Sequence, residues 1–215
     1  MSKFGGWNVN VPVRDKLPQK IATAMSEFTL EPRFGAEYKF KSYLATQQVN
    51  GTNHALLMEQ TIFSGKDTVN AVVVVFNEKS GVEDVAVSDI RRIIEAGGQF
   101  GGNIVAISNE IPQEAKDAFN TAMNGFTGSK INPFMYLSSK VTKGTEYKLL
   151  AEVTPVVTNP KTDLAIVTVN SMEHSIFFER VFERSSAEES LLGYWIVKGV
   201  KQRAVRLGTT LTEWP

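Results

Sequence analysis

The side chains that most often do chemistry are scarce or scattered. The chain has no cysteine, so thiolate nucleophiles, thiolate metal ligands and disulfides are all excluded. Its two histidines, His54 and His174, lie far apart. No carboxylates stand beside them at metal-ligand spacing, so no zinc site is expected. No Gly-x-Ser-x-Gly elbow and no phosphate-binding Gly-x-x-x-x-Gly-Lys-Ser/Thr loop occurs. Glu37, Glu59 and Glu152 fall in strand-like runs, where cross-strand pairing with lysine is the expected role. What remains is recognition by shape. Gln47, Val49 and Gly51 alternate in Gln47-Gln48-Val49-Asn50-Gly51, between two strand-like runs. Asn-Gly there signals a hairpin, because both residues tolerate positive φ. An exposed turn of this kind binds through backbone and small side chains.

Composition sets the frame for that loop. The 215 residues suffice for one large domain or two of about 100 each. Hydrophobic residues are 42% and charged residues 21%, a balance of ordered globular chains. A formal net charge of +0 gives no general attraction to nucleic acid or an anionic membrane. The longest apolar run, Ala71 to Phe76, is too short to span a bilayer and suits a strand covered on both faces. The start, Met1 to Trp7, has no signal-peptide core. With the absence of cysteine, this points to the cytoplasm rather than to secretion.

Around the loop the elements fall into two similar series. Val9, Val11 and Val13 alternate and predict a first strand. Ile21, Ala24, Met25 and Phe28 recur at helical spacing and predict a helix over 15–28. Strands are expected at 36–45, 52–63 and 69–76, with a short one at 82–87. Ser88 is placed to cap a helix over 89–96. The second series has a strand at 103–108, a helix at 112–124 with Ala115, Ala118, Phe119 and Ala122 as its stripe, then strands at 132–141, 145–157, 163–169 and 175–182. Leu17-Pro18-Gln19 recurs as Ile111-Pro112-Gln113, and Gly51-Thr52 as Gly144-Thr145. Gly97 to Gly102 reads as a linker. Beyond Arg184, Ser186 to Glu189 forms a capping box, and 193–206 reads as extended.

The pattern Gln-x-Val-x-Gly at Gln47, Val49 and Gly51, followed by Thr52-Asn53, resembles the first inhibitory hairpin of the cystatin and stefin family. Gly5 or Gly6 matches the glycine that precedes that family's first strand. The resemblance covers roughly 5–87 and 101–184. It implies an α+β fold of two tandem cystatin-like domains, 1–97 and 98–184, each a helix packed on an antiparallel sheet, with a C-terminal extension over 185–215. The outer face of each sheet would then be the wetter one. Ile21, Met25 and Phe28 are expected in the first core and Phe119 in the second. The implied activity is reversible inhibition of a papain-like cysteine protease, with Gly5, Gly6, Gln47, Val49 and Gly51 in contact with the enzyme and no catalytic residue or cofactor. The chain departs from the family in two places. Asn77 to Gly81 lacks the Pro-Trp or Leu-Pro of the second hairpin, and Ser139 to Gly144 lacks the glutamine. The alternative is a non-catalytic scaffold for binding another protein or for self-association.

Overall fold

The run Ala71 to Phe76 is buried at every position, and its two faces meet different neighbours. In the computed structural model, which describes residues 5–11, 13–33, 35–63, 68–82, 84–97 and 101–182, this run is the middle of a strand. The elements are α1 (Gln19–Thr29), β1 (Ala36–Val49), β2 (Gly51–Ile62), β3 (Thr68–Glu78), β4 (Val85–Ile94), β5 (Ile104–Ser108), α2 (Gln113–Met123), β6 (Ser129–Thr142), β7 (Gly144–Pro155), β8 (Asp163–Asn170) and β9 (Ile176–Arg180). They make two antiparallel sheets, in the orders β1-β2-β3-β4 and β5-β6-β7-β8-β9.

Side chains alternate across a strand, so each sheet has two faces. Ala71, Val73 and Val75 of β3, with Ala55 and Leu57 of β2, belong to one apolar cluster with Met135, Leu137, Leu150, Leu164 and Ile166 of the other sheet. The sheets therefore share a dry interior. Val72, Val74 and Phe76 point the other way, towards Ile21 and Phe28 of α1, Leu56 and Met58. A third cluster gathers Ala115 and Ala118 with Leu149, Val167 and Ile176.

This arrangement corrects the expected fold class. The protein is not two tandem α+β cystatin-like domains, each a helix packed on an antiparallel sheet. Among the described residues, nine strands stand against two helices of 11 residues. The largest cluster lies between the two sheets. The face expected to be wet is buried, because Ala45, Ala55, Leu57 and Val73 put apolar atoms there and a second sheet removes them from water.

Three local expectations also change. Among the described residues of 8–13 no strand forms; Asn8 makes a single bridge to Thr46, and Val9 turns into the inter-sheet core. In place of the helix expected over 89–96, residues 89–94 belong to β4. Its backbone pairs with the open edge of β3, and the Ser88 hydroxyl donates to the Val75 carbonyl at 3.2 Å instead of capping. Of the expected core, Ile21 and Phe28 are buried, but Met25 and Phe119 are only partly so. The capping box at 186–189, the extended stretch at 193–206 and the whole extension 185–215 lie outside the described residues.

Candidate functional site

The β1–β2 hairpin closes with Val49 opposite Gly51 and Asn50 exposed at the apex. Gly51 has φ 104°, a conformation that a β-carbon disfavours. It also has no room for one. A Cβ there would sit 2.1 Å from the Glu78 carbonyl oxygen and 2.9 Å from Lys79 Cα. The glycine thus lets the hairpin tip lie directly against the end of β3 and the turn that follows.

Gln47 is held by an amide relay across three strands. Asn53 Nδ2 donates to Gln47 Oε1 at 3.0 Å, and Asn77 Nδ2 donates to Asn53 Oδ1 at 2.7 Å. Gln48 is exposed, and its amide donates to the Thr52 hydroxyl at 3.2 Å. Val49 is half-buried and carries no charge. On the opposite side of the hairpin, the Gly5 N–H donates to the Gln48 carbonyl at 3.2 Å. Asn8 and Thr46 exchange two backbone bonds, at 2.7 and 2.9 Å. Gly6, between them, is exposed.

The structure therefore brings four of the five sequence-derived residues into direct chain contact at one end of the first sheet, with Gly6 next to Gly5. Segment 5–8 runs along β1, the hairpin 47–52 comes next, and Glu78 with the exposed turn 79–82 follows. Gly5 itself has space, since the nearest atom to an added Cβ is 3.7 Å away.

A polar trio of two buried side chains and a half-buried carboxylate lies at this end, and no sequence signal assembles it. His54 is 5% exposed. Its Nδ1 is 2.7 Å from the Tyr43 hydroxyl, and its Nε2 is 3.5 Å from Glu78 Oε2. Lys20 Nζ reaches the other Glu78 oxygen at 3.3 Å. If Tyr43 donates to Nδ1, the ring hydrogen sits on Nε2 and faces the carboxylate. That tautomer directs the N–H towards the carboxylate, at a separation too long for a full hydrogen bond, so buried Nε2 keeps no hydrogen-bond partner. Burial holds His54 below the usual histidine range, and the nearby Glu78 opposes that shift. Burial, helped by the Glu78 charge, pushes Tyr43 up to about 12. A hydroxyl whose ionisation is suppressed is the opposite of an activated nucleophile. The trio's contacts tie β1, β2 and β3 together. Only the register of β1 on β2 and of β2 on β3 reveals it, because Thr46 and Phe76 are the residues opposite His54.

The remaining candidates have ordinary partners. Lys41 pairs with Glu59 at 2.8 Å, diagonally from the irregularity between Phe40 and Ser42, since the residue directly opposite Glu59 is Lys39. Glu152 pairs with Arg14 at 2.5 Å, an arginine from outside the sheets. Glu37 is exposed. Trp7 stacks on Phe182, while Trp195 and Trp214 lie outside the described residues. His174 stands in the β8–β9 turn with φ 51°. Among the described residues, no group of three His, Asp or Glu side chains is placed to hold a metal ion, and no helix is long and apolar enough to cross a membrane. No protein-family model and no curated protein sequence matches the chain.

Proposed function

We propose that the protein is a non-catalytic inhibitor that fills the cleft of a papain-like cysteine protease with the end of its first sheet. The observation that carries this reading is the alignment of three chain segments at that end, through the Gly5–Gln48 hydrogen bond and the contact of Gly51 with Glu78. The exposed elements there are backbone, Gly6, Gln48, Asn50 and the turn at 79–82. Such a surface binds by fit and by backbone hydrogen bonding, and needs no group of shifted pKa. The amide relay and the packed glycine hold the hairpin in one conformation before it meets a partner, which lowers the ordering cost of binding.

The test is titration of papain with the purified protein and with Val49→Arg. Val49 is half-buried beside the apex, so the variant alters the tip while sparing the core. Inhibition at micromolar concentration or below, weakened at least about tenfold in the variant with its urea midpoint preserved, is the expected result. Wild-type protein that leaves papain and related proteases fully active at high concentration would refute it.

One observation favours the scaffold reading. β4 is the outer strand of its sheet, and among the described residues no strand pairs with its outer edge. Such an edge invites strand addition by another chain. Light scattering that shows a dimer, lost when a proline is placed in β4, would support this alternative. A monomer at all concentrations would count against self-association.

A further inference from the structure

We infer that Phe182 is a positioning residue for the binding end: it stacks on Trp7 and thereby holds segment 5–8 along β1. This inference rests on the inhibitory reading for its functional consequence. The contact joins the first sheet's recognition end to a residue just after β9, in the second half of the chain. The ring centroids are 4.4 Å apart with an interplanar angle of 21°. Phe182 is 9% exposed and belongs to the inter-sheet cluster, against which Trp7 packs.

The segment needs such an anchor. Gly5 and Gly6 give it high backbone freedom. Its own ties to β1 are the Gly5–Gln48 bond and the Asn8–Thr46 pair. Farther along, Val9 is buried at 4% exposure, and Arg14 fixes the path. The Arg14 guanidinium donates to the carbonyls of Val9, Tyr43 and Leu44, each at 3.3 Å, and lies 4.4 Å over the Phe134 ring. Between Val9 and the hairpin, Trp7 is the one large apolar side chain of the segment, and Phe182 is its stacking partner. Without that stack, Gly5 to Asn8 would lose their ring-on-ring contact and lean more heavily on the three backbone bonds to β1. Those exchange readily with water. A segment ordered beforehand adds its contacts to a partner without an ordering cost.

The experiment compares Phe182→Ala with Phe182→Tyr, which keeps the ring. Amide exchange is read at Gly5, Asn8 and Thr46, whose N–H groups make the three bonds, and at Leu57 and Val73 as core references. In F182A the three amides should exchange at least about tenfold faster while the references hold, and papain inhibition should weaken by about tenfold, the size expected for an aromatic pair. F182Y should restore both. Unchanged protection at Gly5 and Asn8 in F182A would overturn the inference. So would loosened amides with undiminished inhibition. If F182A does not fold, Trp7→Ala with Trp7→Phe as its control reads the same contact from the other side. If the wild type does not inhibit papain, the functional consequence falls with the inhibitory reading, and exchange alone still decides whether Phe182 holds the segment.

Discussion

Replacing Gly51 by alanine separates two costs that a single glycine can hide. The first is conformational: a residue with a β-carbon held at positive φ loses about 1–2 kcal/mol. The second is steric. The new Cβ would lie 2.1 Å from the Glu78 carbonyl oxygen, a backbone atom that has no rotamer to escape into. Relief requires the tip to move by about 1 Å, which breaks the pairing of Thr52 with Glu78 at the end of β2 and β3. Losing one or two hydrogen bonds there costs about 0.5–1.5 kcal/mol each. The total is about 1.5–5 kcal/mol. Gly81 supplies the control. Its φ is 76°, yet nothing lies within 4 Å of an added Cβ, so Gly81→Ala carries the conformational cost only, about 1–2 kcal/mol. Urea unfolding followed by fluorescence gives both numbers. With a slope of about 2 kcal/mol/M, the Gly51 variant should lose about 0.8–2.5 M in midpoint. Equal midpoints for the two variants would refute the close approach of the hairpin to β3.

Burial in the first half of the chain sets two further outcomes. His54 has a folded pKa below its ordinary 6.5, chiefly through burial, so the unfolded chain takes up the proton first as pH falls. The stability carried by the neutral ring is complete above 6.5 and is lost as pH drops from there towards the lower folded value. The urea midpoint of the wild type should therefore fall between neutral and mildly acidic buffer by more than that of His54→Gln; equal falls would place the acid sensitivity elsewhere. In α1, Ile21 has no exposed surface and Met25 is half-buried. Ile21→Ala should cost about 2–5 kcal/mol and Met25→Ala clearly less in the same assay; equal costs would mean that the helix buries both side chains alike.

The hairpins were legible because their signals are local. Asn-Gly at 50–51 and the continuous apolar run at 71–76 each state their structure within a few residues. β4 was not, because Ile90, Ile93 and Ile94 satisfy helical spacing as well as they suit a strand. The open edge of β3 decided between the two, and an edge is a tertiary fact. The two-sheet interior escaped for a related reason. A strand with Ala55 and Leu57 on one face and Leu56 and Met58 on the other shows that both faces want cover, without saying what supplies it. The trio of Tyr43, His54 and Glu78 depends on register across three strands, and no spacing in one segment encodes it. The neighbourhood of Gly5 and Gln48 came into view only through the family resemblance, since the intervening chain gives no local sign of the contact.

The shared interior has a consequence for how the chain is made. The first sheet is complete once β4 has been synthesised, but Ala45, Ala55, Leu57, Val73 and Val75 find their cover only when β6, β7 and β8 have followed. At roughly 5–20 residues per second, the nascent first half carries a bare apolar face for on the order of seconds. During that interval it is a substrate for chaperones, or for another nascent copy of itself.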